Sequence, residues 1–421
     1  MGKKLKKNRM LEGIIWNYGS LIILSVSGFL FNCLITYFYD AVALGVFNST
    51  YAWYCVLSQI TTWGVHMSVV KLIPEYKESR RERDRIMNAA LLEVFFIAGT
   101  GVIVIESVVP HIITDNGNLL KSMQIAMPGL FFFSLNKVIL NYLNGLSEMK
   151  PYAVFQSIRY ISIVLIIWLL GIWKCDHVWL SFSLAGAEVI VFVAALAYLL
   201  YRKLLGRGIS LCYIRENIRF GTRILPANMV LELNTKVDII CLGFVLRDDY
   251  LIGIYSFAII FVEGFYQLFI TVRRSINPKI TECYVDNGLQ QGMEEINVNL
   301  KKYLRILSPI ALLLVAIGYY VICCFLGQRD YIVGLQYLVI ICTAIIISGR
   351  KIIFGNIFAQ TGFPVYESMI NLITVASNFF LNLLLIYVSG LLGAAIATAA
   401  SHLIFGQIMH YCAKKELRVN I

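Results

Sequence analysis

The chain has 421 residues, of which 59% are hydrophobic and only 14% charged, and its mean hydropathy is +0.73. Soluble domains carry about 25% charged residues, so this composition excludes a disordered chain, a disulfide scaffold and an ordinary cytosolic enzyme, and it indicates a polytopic membrane protein. The excess of 36 basic over 25 acidic residues, a formal charge of +11, would suggest nucleic acid in a soluble chain, whereas in a membrane protein it reports anchoring at the cytoplasmic face.

A membrane-spanning helix needs about 20 apolar residues. Charge-poor runs predict six spans at 14–38, 44–70, 86–108, 119–143, 152–170 and 178–201. Six more follow at 224–246, 251–272, 300–326, 331–348, 365–388 and 391–411. Hydrocarbon satisfies no backbone polar group, so runs of this length must be helical. The expected fold class is therefore an all-α polytopic membrane protein with twelve spans. Pro128-Gly129 in span four and Pro309 in span nine permit kinks. Within Gly390–Ser401 (GLLGAAIATAAS) small residues fall on successive turns and suit close helix packing.

With the N-terminus inside, the inner loops collect 29 of the 36 basic residues and the outer loops four: Lys121, Lys174, Arg247 and Arg329. Three more lie within spans: Lys137, Arg159 and Lys236. This asymmetry puts both termini on the cytoplasmic side. The N-terminal Lys3, Lys4, Lys6, Lys7 and Arg9 then face anionic headgroups. The first apolar run continues to Phe38, which argues against a cleaved signal peptide.

The outer loops are short and leave no outer domain for catalysis. The inner loops hold no Gly-rich phosphate loop. Transport would therefore be driven by an ion gradient or by the substrate's own gradient, unless a separate subunit supplies an ATPase. The ten cysteines are scattered without a CxxC pair, and His66, His111, His177, His402 and His410 lack metal-ligand spacing. The cysteines read as small apolar fillers, and no metal or catalytic site is expected.

Shifting the chain by 208 residues lays YFYDAVALGVFNS (37–49) on VLRDDYLIGIYSF (245–257), with Asp40 on Asp248 and Gly45 on Gly253. Gln59 then meets Gln267 and Lys71 meets Lys279. The shared order is a span, a short acidic outer turn, Gly–aliphatic–aromatic, a span and a basic inner loop. An even number of spans per unit makes this a parallel repeat, with a pseudo-twofold axis along the membrane normal. The expected division is a six-helix lobe at 1–201, a cytoplasmic linker at 202–223 and a second six-helix lobe at 224–421, around a central cleft. The basic linker suits a short interfacial helix. The 273–302 segment is read as a loop with a turn at Asp286-Asn287-Gly288 and then a polar helical stretch.

Ionisable residues within spans mark function by default. Lys137 and Arg159 lie at similar depth on consecutive spans and could receive a pyrophosphate, Arg by its fork and Lys as a point charge. Snorkelling to the inner headgroups is the plainer explanation. Lys236 is a third cavity cation. Glu232 and Lys236 are four residues apart and share a helix face, where they can neutralise each other. Asp238 lies on another face and needs a partner or a proton, which would suit ion coupling. Glu188 and Glu263 lie near mid-membrane, and Glu93 lies nearer the inner edge.

Several marks in order resemble the polysaccharide biosynthesis proteins, the lipid-linked oligosaccharide (O-antigen repeat unit) flippases of the multidrug/oligosaccharidyl-lipid/polysaccharide exporter superfamily. These are GVFNS (45–49), Phe220-Gly221 followed by Leu225-Pro226, Asp238, LIGIYS (251–256), Pro278 and GLLGAAIATAAS. None is a catalytic motif. The resemblance implies two six-helix lobes, a bacterial cytoplasmic membrane and a cleft that alternates between leaflets. It implies an undecaprenyl-pyrophosphate-linked oligosaccharide as cargo and coupling to a proton or sodium gradient without a bound cofactor. Membrane lipids, polysaccharide polymerase and chain-length machinery are the implied partners, and nucleic acid is not. Of the charged residues within spans, Asp238 alone falls on a family mark. The alternatives are a multidrug cation antiporter of the same superfamily and a membrane polysaccharide polymerase or ligase. Span one has no acid between Glu12 and Asp40, which counts against the first. The short outer loops count against the second. Twelve spans count against a peptidoglycan precursor flippase, which often has fourteen.

Overall fold

The computed structural model describes residues 2–113, 116–286 and 289–421. It is 89% helical, with no strand among the described residues. The first half comprises α1 (Gly2–Phe38), α2 (Ala41–Thr62), α3 (Val65–Glu75), α4 (Arg80–Ile113), α5 (Gly117–Ala126), α6 (Gly129–Gly145), α7 (Met149–Ile172) and α8 (Phe182–Tyr201). The second comprises α9 (Leu211–Val245), α10 (Asp249–Val285), α11 (Leu289–Phe325), α12 (Gly334–Ile353), the short α13 (Ile357–Gln360) and α14 (Pro364–Cys412). Two compact units divide the chain, Met1–Leu233 and Asn234–Ile421, so the division falls within α9.

Among the described residues, eight helices are long and apolar enough to cross a membrane, or nine if the bent pair α5–α6 is one span. The chain is a multi-pass membrane protein. α5 and α6 meet at 41° where Met127-Pro128 interrupts the helix, at the kink expected from Pro128-Gly129. α11, by contrast, runs through Pro309 as one helix. Two of the twelve expected spans fall in helices too polar to qualify by hydropathy. α2 carries Asn48, Ser49, Thr50, Ser58, Gln59, Thr61 and Thr62, all buried. These residues meet protein rather than lipid, so α2 needs no apolar surface of its own. α9 carries Glu232, Lys236 and Asp238.

The last two expected spans are joined in α14. A helix of its 49 residues would be about 74 Å long at 1.5 Å per residue, far more than a bilayer core of about 30 Å. Gly390 breaks it with φ 59° and ψ −133°, a conformation that only glycine adopts readily. Three residues on, a Cβ at Gly393 would collide with the Leu385 carbonyl. The chain therefore doubles back on itself within a few residues.

The segment read as a loop at 273–302 is mostly helix. α10 continues through Pro278 to Val285, and α11 begins at Leu289. Its Arg, Lys, Glu and Gln residues are good helix formers, and in water they need no apolar partner. Asp286 follows the end of α10, while Asn287 and Gly288 lie outside the described residues. The basic 202–223 segment likewise becomes helical at Leu211, and α9 then runs through Pro226 without a break.

The acids of the 208-residue repeat have a local structural role. Asp40 Oδ1 accepts from the Ala43 backbone N at 2.9 Å and caps α2. Asp248 Oδ1 accepts from the N of Tyr250 at 3.0 Å and of Leu251 at 3.3 Å and caps α10. Each satisfies helix N–H groups that would otherwise lack partners. The two aligned segments then diverge. α2 ends at Trp63 and Gly64, both left-handed (φ 49° and 70°), before α3 begins. α10 has no such break. Gly64 sits against Gly221 of α9, where a Cβ would lie 2.9 Å from the Gly221 carbonyl O. Trp63 Nε1 donates to Thr222 Oγ1 at 3.0 Å across the same contact. Replacing Asp40 or Asp248 by Ala should lower stability by about 1 kcal/mol each, read as thermal unfolding in detergent. Asn at either position should stay close to wild type, because its side-chain oxygen also caps.

Candidate functional site

The charged residues expected within spans fall into several polar clusters, each within one compact unit. In the first unit, α6, α7 and α8 bring Asn136, Arg159 and Glu188 together. Arg159 Nε stands 2.6 Å from Glu188 Oε1, and Arg159 Nη2 donates to Glu188 Oε2 at 3.1 Å. Asn136 Nδ2 donates to Glu188 Oε2 and to its backbone O, both at 2.8 Å. Gln156 Oε1 accepts from Arg159 Nη1 at 3.1 Å. Arg159 is 8% exposed and Glu188 3%. The fork expected to meet a pyrophosphate is held by a carboxylate of its own unit, and both charges are enclosed in protein rather than extended to a headgroup.

Lys137, one residue after Asn136, points to a different set of partners. Its Nζ donates to Gln59 Oε1 at 3.3 Å and lies 5.4 Å from the centre of the Phe133 ring. The same ring lies 5.0 Å from Arg159 Cζ. Phe133 is one turn before Lys137 on α6, and its ring lies beside both cations. Gln59 Nε2 donates to Glu232 Oε1 at 3.1 Å. A relay therefore runs from Lys137 through an amide to Glu232. Among the described residues, no carboxylate reaches ion-pair distance of Lys137.

The second unit holds Asp238. Its Oδ1 accepts from Asn382 Nδ2 at 2.9 Å and from Asn378 Nδ2 at 3.4 Å. Its Oδ2 accepts from Thr398 Oγ1 at 2.6 Å and from Tyr255 Oη at 3.2 Å. Asn378, Asn382 and Thr398 come from α14 on both sides of Gly390, and Tyr255 comes from α10. Four neutral donors thus surround the carboxylate, and among the described residues no basic group forms an ion pair with it. Lys236, two residues earlier, faces another way, with Nζ 4.0 Å from Glu263 Oε1. No group of three or more His, Cys, Asp or Glu suited to a metal occurs among the described residues.

Sequence reasoning singles out each of these charges and misses most of their partners. Asn378 and Asn382 are legible in principle, as two amides four residues apart in an otherwise apolar span. Thr398 lies within the small-residue run, and Tyr255 within LIGIYS. Gln59 stands out only as a match in the repeat. Glu93 belongs to a third buried cluster, accepting from Asn217 Nδ2 at 2.8 Å, and the Oδ1 of Asn217 accepts from Ser68 Oγ at 2.7 Å.

Solved structures share this arrangement of long apolar helices. The lipid II flippase MurJ in an inward closed conformation superposes with a TM-score of 0.77 at 17% identity, over 96% of this chain and 88% of that one. An inward-facing multidrug resistance MATE family transporter of the MOP superfamily gives a TM-score of 0.75 at 10% identity, over 94% of each chain. The MATE multidrug transporter DinF-BH gives 0.64 at 14% identity, over 99% of this chain and 97% of that one. No protein with a curated description matches the sequence. The profile of the polysaccharide biosynthesis protein family matches residues 10–282, and the chain belongs to that family.

Removing one partner of a buried ion pair leaves the other charge uncompensated and costs about 3–5 kcal/mol. Glu188→Ala should therefore destabilise the protein by that order in detergent melting. The double variant Arg159→Ala with Glu188→Ala should recover part of the loss. If both variants melt like wild type, the pair has no structural role.

Proposed function

We propose that the chain is a flippase. It moves undecaprenyl-pyrophosphate-linked oligosaccharide repeat units from the inner to the outer leaflet of a bacterial cytoplasmic membrane, for surface polysaccharide synthesis. Membership of the polysaccharide biosynthesis family carries this reading, and the buried charges support it. In this reading twelve spans form two six-helix lobes related by a pseudo-twofold axis, with the interlobe segment and both termini cytoplasmic. The helices that fail on composition, α2, buried in protein, and α9, also cross the membrane, and α14 crosses twice around Gly390. The chain performs no covalent chemistry. Polysaccharide polymerase and chain-length machinery act on the same lipid-linked units.

Lys137 is the proposed cargo cation. Its hydrogen bond goes to the neutral Gln59 amide, so an arriving pyrophosphate need not displace a carboxylate. Arg159 is held by Glu188 and positions the α6–α8 wall beside Lys137. Lys236, near Glu263, is the second cavity cation. Asp238, with neutral donors around it, is the proposed coupling acid, taking a proton or a sodium ion. Glu232 connects to Lys137 through Gln59, so cargo at the lysine is felt at α9. Alternating access follows if cargo and ion favour different conformations of the two lobes.

In a strain lacking the gene and any second flippase, surface polysaccharide should disappear and lipid-linked units should accumulate inside. Complementation by Lys137→Ala at normal protein level should restore export roughly ten- to a hundredfold less well than wild type, the loss of one charge-assisted hydrogen bond. Unchanged surface polysaccharide in the deletion strain would overturn the flippase reading, and full export by Lys137→Ala would remove the lysine from it. Asp238→Asn should fold normally, since the amide still hydrogen-bonds to its neighbours, yet lose the dependence of export on the proton or sodium gradient. Dependence equal to wild type would exclude Asp238 as the coupling group.

A further inference from the structure

The first turns of α9 carry a surface that the transport reading does not use. Tyr213 and Asn217, four residues apart, form the buried face. Tyr213 Oη donates to Glu82 Oε2 at 2.9 Å, and Asn217 bridges Glu93 and Ser68. The segment leading into α9 is tied to the same helix, α4. Arg80 Nη2 donates to the Lys203 carbonyl at 2.6 Å, and Asn88 Nδ2 donates to the carbonyls of Gly206 at 2.9 Å and Gly208 at 3.0 Å. With that side anchored, the opposite side has a fixed orientation.

The opposite side presents Leu211, Arg215, Ile218 and Arg219, which line one open groove with the half-buried Ile214 at its edge, against the core. Their spacing is that of a single helix face. Leu211 is 81% exposed and Ile218 42%. Among the described residues, no carboxylate lies within ion-pair distance of Arg215 or Arg219. Measured along the helix from Ile224, where the apolar run begins, Arg219 lies ~7.5 Å and Arg215 ~13.5 Å out at 1.5 Å per residue. That is headgroup depth. Two guanidinium groups one turn apart, flanked by exposed aliphatic side chains, complement a phosphate joined to acyl chains.

We propose that this face of α9 binds an anionic phospholipid of the surrounding bilayer. Arg215 and Arg219 hold the headgroup phosphate, and Leu211 and Ile218 lie along the glycerol and upper acyl region. Arginine suits this role better than lysine, because its planar fork bonds two phosphate oxygens at once and is less strongly hydrated. The anchored back face keeps the pair in place, so little ordering entropy is lost on binding. The site is independent of the cargo and holds whether or not the chain is a flippase.

The test uses the full chain purified in detergent with equal phosphatidylglycerol and phosphatidylcholine, and native mass spectrometry of the retained lipid. Wild type should retain phosphatidylglycerol preferentially. Arg215→Gln with Arg219→Gln should lower that preference about thirty-fold, since each basic residue at an anionic surface contributes about a fivefold factor. The corresponding double Lys variant should keep most of the preference. If the double Gln variant cannot be isolated, each single Gln variant should show about a fivefold loss. No preference in wild type, or Gln variants equal to wild type, would overturn the proposal. Displacement of phosphatidylglycerol from this face by undecaprenyl pyrophosphate would also overturn it and assign the face to the cargo.

Discussion

Hydrocarbon offers no hydrogen-bond partner, so each backbone amide and each charge placed within the membrane must find one in the protein. The helices of this chain, and the partners of its charges, follow from that condition. Backbone groups are satisfied along α1 to α14. Charged side chains are satisfied by groups from neighbouring helices: Glu188 by Arg159 and Asn136, Asp238 by Tyr255, Asn378, Asn382 and Thr398. The same condition explains why α2 is so polar. Its Thr50 and Gln59 bond to Ser122 and Glu232 on other helices, and these contacts need polar atoms where a lipid-facing helix would carry leucine.

The two networks answer the condition differently. Around Arg159 and Glu188, opposite charges cancel in a pair that joins α7 to α8. Around Asp238, four neutral donors hydrogen-bond the carboxyl group, and among the described residues no opposite charge forms an ion pair with it. Lys137 stands between these cases, partnered by an amide and an aromatic face. A fully compensated buried pair is costly to break, whereas a partly compensated charge can exchange one partner for another.

Apolar runs in the sequence mark most of the long helices, because length and hydropathy are local properties. Gly390 and Pro128-Gly129 are visible as breaks for the same reason. The polar end of α10 looks like a loop, because polar composition alone does not separate a solvated helix from a coil, whereas the start of α11 is legible as a polar helical stretch. The charged residues of the site are legible one by one, since any charge within an apolar run stands out. Their pairing is not. Arg159 and Glu188 are 29 residues apart and Asp238 and Thr398 are 160 apart, and helix packing that no local pattern encodes brings them together. The neutral members, Asn378, Asn382 and Gln59, give a weaker signal still, because an amide costs less to bury than a charge.

The doubling back of α14 at Gly390 has a consequence for what can be reached from outside the cell, in the proposed orientation. A connection that turns within a few residues leaves no slack chain. A protease needs several extended residues to enter its cleft, and an antibody needs a surface that protrudes. Neither is available there, and a peptide tag inserted at that point would have to pry two packed helices apart. The outer end of the last helix pair is thereby closed to the reagents by which surface proteins are usually cut, labelled or neutralised.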